Sequence, residues 1–302
     1  MIVTELAAVP VAREIETSPW LTVRADSLPA IGRVLGKSEY KAREGVNTGG
    51  LNGCYWLQVV KTLKDGHLLA ENLWNVGKIK VERCSMSLEP DLVYPLLRGR
   101  DVSRWRAAPS AHLLAPQDPK KQREGIPEAE MKRRYPKTFA YLKRFEKRLA
   151  ARPDRKYYPE SAPFYTMRNV GSYALSPWKV VWREQASQMT AAVVGGEARR
   201  PALPDHKCMY VPLASSREAH YLCAVLNSTM VRDVVDGYVV QTATSTHVLD
   251  HVAAPKFDAS KGPHVELAQL SARAHALKAS DPEADVYDIE ARIDEMTTAL
   301  WG

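Results

Sequence analysis

A glycine-rich loop at residues 43–53, with the sequence REGVNTGGLNG, is the first segment whose residue types could do chemistry. It holds four glycines, two asparagines and one threonine, and it runs directly into the apolar segment CYWLQVV. Glycine-rich loops beside strands often surround phosphate groups, because backbone N–H groups approach a ligand closely where no side chain intervenes. The first question is therefore whether this loop binds a nucleotide cofactor.

The details of the loop argue against a cofactor site. A P-loop requires Gly-x-x-x-x-Gly-Lys-Ser/Thr, because the lysine and the hydroxyl contact the phosphates and magnesium. Gly45 and Gly50 have this spacing, but Leu51 and Asn52 follow them. A dinucleotide-binding loop follows a strand and begins a helix, whereas this loop precedes a predicted strand. The second glycine pair, in VVGGEAR, precedes RPALPDH, which does not begin a helix cleanly.

The motifs of several enzyme classes are absent. The sequence has no Gly-x-Ser-x-Gly, no His-Glu-x-x-His and no paired carboxylates before a strand lysine. It also lacks the Asn/Asp-Pro-Pro-Tyr/Phe/Trp tetrapeptide that holds the exocyclic amine of a flipped base. His247 and His251 could share a helix face, but a pair without a third ligand is more often structural. The sequence therefore predicts no catalytic residue, metal site or cofactor in this chain.

Charge indicates a polyanionic partner. The 302 residues carry a net charge of +7, for which nucleic acid is the first candidate and an anionic membrane the second. Residues 116–160 contain fourteen Lys and Arg against seven Asp and Glu, so this segment alone accounts for the whole net charge. No apolar run approaches the ~20 residues that span a bilayer, and the N-terminus does not resemble a secretory signal. The four cysteines form no CxxC pair. We expect reduced core thiols in a cytoplasmic protein, without a membrane partner.

Periodicity and turn residues predict an α+β fold with mixed β-sheets, a basic helical insertion and C-terminal helices. Strands are predicted at 51–60, 76–82 and 111–115, and in KVVWRE, TAAVVGG and KCMYVPL. Helices are predicted near ADSLPAIGRVLGKSE, in YPKTFAYLKRFEKRLAARPD, from about Ser216 to Val235, and twice within 262–302. Ser215 or Ser216 is the expected cap of the third helix, with Gly237 past its end. The predicted organisation is a lead-in segment at 1–40, a main domain at 41–258 with the basic insertion at 116–160, and a helical segment at 259–302.

Six segments, in order along the chain, resemble the target recognition domain of large adenine-N6 DNA methyltransferases of the TaqI-like and Eco57I-like restriction-modification type. They are YKAREGVNTGGLNGCYWL, LVYPLLRGRDVSRW, YPKTFAYLKRFEKRLAARPD, YLCAVLNSTMVRDVV, STHVLDHVAAPKFD and IEARIDEMTTALWG. Together they cover about residues 25–302. The fifth segment departs from the family pattern, because Ala253 and Ala254 stand where larger apolar residues are usual, so we expect looser packing there.

The resemblance implies a module that recognises double-stranded DNA sequence-specifically and positions an adenine-N6 methyltransferase domain or subunit. That catalytic partner would bind S-adenosylmethionine and would lie N-terminal to the matched region. The chain would then be either a recognition domain of a longer protein or a separately encoded specificity subunit. On this interpretation it has no catalytic activity of its own, and its setting is restriction-modification or phage defence.

Candidate DNA-contacting residues follow from what such a module must do. Lys, Arg and small polar side chains contact phosphates, whereas Arg reads guanine and Asn or Gln reads adenine. The candidates are Arg43, Asn47, Thr48, Asn52, Arg98, Arg100, Arg104, Arg106, Lys143, Arg144, Arg168, Asn169, Arg183 and Gln185. Gln188 and the hydroxyls of QTATST at 241–246 are weaker candidates, and Trp105 offers a flat face.

Each candidate group has an alternative without DNA. Arg98 or Arg100 could pair with Asp101 or a core carboxylate and order its own loop. Arg168 and Asn169 could form an ordinary turn, and the basic helix could be a solvated surface. At the level of the whole chain, a non-specific DNA- or RNA-binding module and an enzyme such as a nuclease with an unrecognised site remain the alternatives.

Overall fold

The computed structural model describes residues 5–11, 17–118, 120–122, 124–186, 188–196, 200–238 and 244–301. They form an α+β fold with mixed sheets, as the sequence predicts. The strands are β1 Leu6–Pro10, β2 Trp20–Arg24, β3 Arg43–Glu44, β4 Trp56–Thr62, β5 Leu68–Asn72, β6 Ser85–Leu88, β7 Val93–Leu97, β8 Val102–Ser103, β9 Arg106–Ala107, β10 Ala111–Leu114, β11 Trp178–Arg183, β12 Ala191–Gly195, β13 Leu203–Pro204 and β14 Cys208–Leu213. The α-helices are α1 Leu28–Val34, α2 Asn52–Tyr55, α3 Glu128–Arg134, α4 Pro136–Lys143, α5 Glu146–Ala150, α6 Ser216–Asn227, α7 Thr229–Tyr238, α8 Val248–His251, α9 Gly262–Ser280 and α10 Tyr287–Leu300.

The larger sheet has the strand order β13-β7-β10-β4-β5-β6. Strand β13 is parallel to β7, and the other neighbouring strands are antiparallel. Leu57 and Leu113 of this sheet share a hydrophobic core with Leu142 of α4 and Leu149 of α5. The basic insertion therefore buries one apolar stripe against the sheet and leaves most of its charged side chains outside.

The second sheet, β12-β11-β14-β3, is antiparallel throughout and packs against α6, which in turn packs against α9. Trp182 of β11, Leu222 of α6 and Leu267 of α9 belong to one hydrophobic core. Leu21 of β2 and Val34 of α1 join the same core. Residues of the predicted lead-in and of the predicted C-terminal segment thus pack together; the proposed domain boundaries stay a prediction.

Several elements that the sequence predicts are present. Helix α1, strands β10, β11, β12 and β14, and helices α9 and α10 lie where expected. Ser215 caps α6, because its Oγ accepts a hydrogen bond from the Glu218 N–H at 3.5 Å. The four cysteines are buried and unpaired. Within the described residues, no helix combines the length and the apolar character that crossing a membrane requires.

Two predicted strands differ from the structure. The strand predicted at 51–60 begins only at Trp56, because residues 52–55 form the short helix α2. Residues 76–82 form no strand. Their backbone N–H groups bond to loops instead: Ile79 donates to the Gly50 carbonyl at 3.1 Å, and Val81 donates to the Trp74 carbonyl at 3.2 Å. The strands that pair beside β4 are β5 and β10.

Two predicted helices are interrupted. The basic helix divides into α4 and α5 at Arg144 and Phe145, where i→i−3 hydrogen bonds form a turn that buries the Phe145 ring. The helix predicted from Ser216 divides at Ser228, whose ψ of 150° is extended. Gly237 lies inside α7 rather than past its end. A side chain there would collide with Leu21, so this glycine permits the close approach of β2.

Lys179 is the least expected residue of the second sheet, because its side chain is almost fully buried in β11. Its Nζ donates to the Ser176 carbonyl at 2.7 Å. Burial lowers the pKa of Lys179 to about 7, since the charged form loses its hydration. The lysine is therefore partly neutral in the folded protein at neutral pH.

Lys179→Met should stabilise the protein, and the gain should be largest near pH 7. Between pH 7 and the ordinary lysine pKa of 10.5, the unfolded wild-type chain binds more protons than the folded chain. Wild-type stability therefore rises with pH in this window, by up to about 1.4 kcal/mol per pH unit. Urea unfolding of both proteins at pH 7, 8 and 9 should show that the difference in free energy of unfolding between Lys179→Met and the wild type decreases as the pH rises. The exposed Lys41→Met is the control; a pH-independent difference for Lys179→Met would contradict the assignment.

Candidate nucleic-acid interface

The glycine-rich loop is held on two sides by backbone contacts. The Val46 N–H donates to the Pro204 carbonyl at 2.8 Å, and Asn47 and Arg168 exchange two backbone hydrogen bonds of 3.1 Å. Gly49 and Gly50 have φ of 65° and 87°, the left-handed region that glycine adopts without strain. The glycines therefore allow the tight turns that the sequence predicts for this loop.

Polar side chains complete the turn. The Asn47 Oδ1 accepts a hydrogen bond from the Gly49 N–H at 2.9 Å. Thr48 Oγ1 donates to Asn52 Oδ1, and both of these residues are buried. Asn47 is the most exposed of the three. All three side chains, predicted as DNA contacts, thus form hydrogen bonds within the turn itself.

An open cleft of about 640 Å³ lies beside this loop, and we call it the glycine-loop cleft. Lys78, Arg168 and Lys207 bring positive charge to it, and Asp154 and Asp205 bring carboxylates. Burial raises the pKa of Asp205. The full lining is Asn47, Gly49, Gly50, Asn52, Trp56, Gly77, Lys78, Ile79, Pro153, Asp154, Arg168, Asp205, His206 and Lys207. Three predicted DNA-contacting residues, Asn47, Asn52 and Arg168, thus meet in one place.

Arg168 and its neighbour Asn169 have different surroundings. The Arg168 guanidinium lies over the Tyr157 ring at 5.4 Å, and its Nε is 3.7 Å from Asp154 Oδ2. Asn169 has a φ of 61° and donates through Nδ2 to Glu44 Oε2 at 3.0 Å and to the Gly45 carbonyl at 3.2 Å. Asn169 therefore fixes the loop, whereas Arg168 faces the cleft.

The turn at residues 98–102 places Arg98 and Arg100 in different surroundings. Arg98 is buried and pairs with Asp101 at 3.2 Å, which is the alternative that the sequence left open. Arg183, another candidate, donates through Nε to the Gly99 carbonyl at 2.9 Å and so anchors the same turn. Arg100 is exposed at its tip. Because Gly99 packs closely against Lys207, this turn lies at the margin of the glycine-loop cleft.

Arg104 and Trp105 lie in internal contacts. Arg104 pairs with Glu290 of α10 at 2.6 Å and donates to the Asn227 carbonyl at 2.8 Å. Burial lowers the pKa of Arg104, and Glu290 opposes this effect. Trp105 is 1% exposed, so it offers no flat face to a ligand. Arg104 therefore joins the β8–β9 turn to α6 and α10, and we leave it out of the proposed interface. Arg106 is half-buried in β9.

The basic helices border the cleft indirectly. Lys143 pairs with Glu146 at 2.7 Å, and Arg144 pairs with Glu82 at 3.6 Å; all four side chains are substantially exposed. Arg148 donates to the Lys80 carbonyl at 2.7 Å. The segment 78–82 therefore connects α4 and α5 with the cleft.

The remaining candidates are scattered. The Arg43 guanidinium lies 4.8 Å from the centre of the Tyr173 ring, and Gln185 is exposed. Gln188 accepts a hydrogen bond from Arg232 at 3.3 Å. The first three residues of QTATST, 241–243, lie outside the described residues. His247 contacts Asp250 at 2.8 Å, and the described residues contain no group of three ligands suited to a metal ion.

Arg152 is the residue of this site that sequence reasoning missed. Its side chain is fully buried, and it donates to four backbone carbonyls at 2.6–3.1 Å, those of Leu149, Thr48, Phe164 and Thr166. It thereby ties the end of α5 to the glycine-rich loop. Arg152 lies in the third segment of the family resemblance, but sequence reasoning did not single it out from the thirteen other basic residues of the insertion.

The chain is similar in sequence to part of a type II methyltransferase and in fold to part of a type IIL restriction-modification enzyme. The chain is 26% identical over 155 residues to the type II methyltransferase M.NspV of Nostoc sp. (strain ATCC 29411 / PCC 7524), a match that covers 51% of this chain and 31% of that protein. Its fold is similar to that of part of the type IIL restriction-modification enzyme MmeI, solved in complex with DNA, with a TM-score of 0.50 and 10% identity over 89% of this chain and 34% of that one. The chain thus spans about a third of the length of each. No family model matches it.

Arg152→Lys should destabilise the protein by about 2–4 kcal/mol, because an ammonium group cannot reach four separate carbonyls and leaves some of them unpaired in the interior. Urea unfolding measures this loss. The exposed Arg148→Lys, four residues earlier, is the matched control and should change stability by less than about 0.5 kcal/mol. Equal effects of the two substitutions would show that the carbonyl contacts of Arg152 contribute little.

Proposed function

We propose that this chain is a sequence-specific double-stranded DNA recognition module that positions an adenine-N6 DNA methyltransferase, in restriction-modification or phage defence. The observation that carries the proposal is that Arg168 and the partly exposed Asn47 line the glycine-loop cleft together, beside the buried Asn52 that fixes the turn. Amide and guanidinium groups of this kind are the ones that distinguish bases in the major groove. The cleft is open, so a groove edge has access to it.

Phosphate contacts would come from the two margins of the cleft. On one side lie Lys78, Lys80, Arg144 and Arg148, which we call the basic border. The Arg144 side chain is 53% exposed, and its partner Glu82 is 59% exposed. Exposed ion pairs contribute little to stability, so this arginine is available to a phosphate at small cost. On the other side lies Lys207, next to the turn whose exposed Arg100 is a candidate base reader.

The partner and its cofactor belong to the same proposal. Similarity to a type II methyltransferase extends over about half of this chain. The catalytic domain, fused or separate, would bind S-adenosylmethionine and would hold the Asn-Pro-Pro-Tyr-type tetrapeptide that this chain lacks. The recognition chain would fix the catalytic domain at a defined distance from the bases that it reads. We place this assembly in the cytoplasm, where chromosomal DNA and the methyl donor are both present.

A non-specific nucleic-acid-binding module is the main competing function. Such a module would bind every duplex with similar affinity, and the affinity would fall steeply with salt. Selection of bound duplexes from a randomised library separates the two functions directly. A recognition module enriches one motif, and a non-specific module enriches none.

Arg100→Ala and Arg168→Ala should each weaken binding to the selected duplex by about 5- to 100-fold, the value of one good base contact. Binding to random duplex should weaken much less. Fluorescence anisotropy at two salt concentrations measures both quantities. Arg273→Ala, on the exposed face of α9, is the matched control and should behave as the parent. If both variants bind the selected duplex as tightly as the parent does, these two residues do not read bases.

S-adenosylmethionine should bind only when the catalytic partner is present. Adding it to this chain alone should therefore leave the melting temperature unchanged, because a ligand that does not bind the folded state cannot stabilise it. Calorimetric titration provides the same test at equilibrium. Saturable binding to the isolated chain would contradict the proposal that the catalytic partner alone binds S-adenosylmethionine.

A further inference from the structure

Ile79 is an exposed apolar side chain in the wall of the glycine-loop cleft. It lines the cleft, and 38% of its surface is exposed. The other exposed residues of the lining are Lys78, Pro153 and Lys207, and Lys80 on the far side of Ile79 is exposed as well. Single exposed apolar side chains are common on protein surfaces, but this one lies between two lysines in the cleft to which we assign DNA. The contact that it makes with DNA therefore bears on specificity.

Gly50 keeps the Ile79 side chain accessible from the cleft. A Cβ at Gly50 would lie 3.7 Å from the Lys78 Cβ and 4.0 Å from the Ile79 Cδ1. Any side chain there would begin in van der Waals contact with both residues. The φ of 87° at Gly50 is also one that glycine adopts without strain. The glycine-rich loop thus passes beside the isoleucine without covering its methyl groups.

The backbone of Ile79 is fixed on the same side. Its N–H donates to the Gly50 carbonyl at 3.1 Å, and two residues later the Val81 N–H donates to the Trp74 carbonyl at 3.2 Å. Gly77, with a φ of 85°, makes the tight turn between these two anchors. The Ile79 side chain is therefore presented at a defined place in the wall, with most of its surface resting on the protein.

The two flanking lysines have donors to offer to phosphates. Within the described part of the chain, the Lys78 ammonium forms neither an ion pair nor a hydrogen bond. The Lys80 ammonium donates to the Asn75 carbonyl, which leaves two of its three N–H donors. Phosphate contacts set the register of a protein on the duplex, and contacts to base edges specify sequence. An isoleucine between two phosphate contacts would therefore face a base edge.

The apolar group that a base edge offers in the major groove is the C5-methyl of thymine. The other major-groove groups are hydrogen-bond donors and acceptors, which an isoleucine cannot satisfy. Apolar side chains can also enter DNA as wedges between base steps, but a wedge must project from the protein. Ile79 lies in the wall of the cleft, with its N–H bonded to the neighbouring loop. Its geometry thus suits contact with a methyl group rather than insertion.

We propose that Ile79 reads the C5-methyl group of one thymine in the major groove, while Lys78 and Lys80 bind phosphates beside that base. This inference rests on the proposed function and deepens it, because it names one base of the recognised sequence and the residue that reads it. Burial of one methyl group changes affinity by about 3- to 5-fold, so the effect is smaller than that of a bidentate hydrogen-bonded contact.

The test begins with the motif that the wild-type chain selects from randomised duplexes. Each thymine of that motif is separately replaced by uracil, which removes the methyl group and keeps every hydrogen-bonding group. By fluorescence anisotropy, one position should lose about 3- to 5-fold in affinity for the wild-type chain. Ile79→Ala should bind the unmodified motif more weakly by at least this factor and should not respond to uracil at that position. Ile79→Val keeps a branched apolar side chain and should keep the response.

A rescue experiment isolates the methyl group itself. At the uracil-sensitive position, the T·A pair is changed to C·G, and the cytosine is then replaced by 5-methylcytosine. The methyl group returns to the same place in the major groove, so the wild-type chain should regain about 3- to 5-fold in affinity. Ile79→Ala should regain nothing. Equal recovery by both proteins would show that Ile79 does not contact the methyl group.

Val60→Ala is the matched control, because Val60 is also an exposed β-branched residue but lies on β4 outside the cleft lining. It should bind the motif as the parent does and keep the uracil response. Melting temperatures check folding, and Ile79→Thr is a second variant with the same expectation as Ile79→Ala.

Three outcomes would overturn the inference while leaving the proposed function intact. They are a selected motif in which no thymine responds to uracil, an unchanged uracil response in both Ile79→Ala and Ile79→Thr, and an equal loss of affinity of these variants for the motif and for random duplex. Selection of no motif at all would overturn both the inference and the proposed function.

Discussion

The buried guanidinium of Arg152 is the interaction on which the glycine-loop cleft depends. Taking an arginine out of water costs several kcal/mol unless its donors are satisfied, and here four backbone carbonyls satisfy them. Those carbonyls belong to the end of α5, to the glycine-rich loop and to residues 164–166. The Arg152 side chain thus fixes the distances between three segments that share no sheet. Asp154, which lines the glycine-loop cleft, lies two residues after Arg152.

Both sheets carry segments that line the glycine-loop cleft. The glycine-rich loop starts from β3 of the smaller sheet and leads through α2 into β4 of the larger one. The loop at 204–207 links β13 of the larger sheet with β14 of the smaller one. The cleft therefore lies where the chain passes between sheets, and its polar groups are carried by short connections with rigid ends. Sites on helices and strands hold their groups more precisely than sites on loops do, so the short length and the strand-anchored ends of these connections are what fix the geometry of the cleft.

The sequence predicts the elements whose signal is local and misses those that depend on distant partners. Strand β14 is a short continuous apolar run and helix α9 is a long run rich in alanine and leucine, and both are present. Residues 76–82 have strand-like composition, but the Ile79 N–H bonds to the glycine-rich loop and the Val81 N–H to Trp74, which no local pattern reveals. Arg98 and Arg100 are alike in sequence, yet a tight turn directs one to Asp101 and the other to solvent. The resemblance includes the glycine-rich loop but not Arg168, which was a candidate by its residue type alone, and its contacts with Asp154 and Tyr157 were not predicted.

The parallel contact between Val46 and Asp205 has a further consequence for how the protein acquires its structure. It joins two segments that are separated by most of the larger sheet and by the entire basic insertion. Contacts of such long sequence separation form slowly, because the intervening chain must first be organised. Helices α4 and α5 and the β4–β5 hairpin contain mostly local contacts and need no such step. We therefore expect the cleft to be the last part of the molecule to order during folding, and a chain that ends before residue 205 would lack the side of the cleft formed by Asp205, His206 and Lys207.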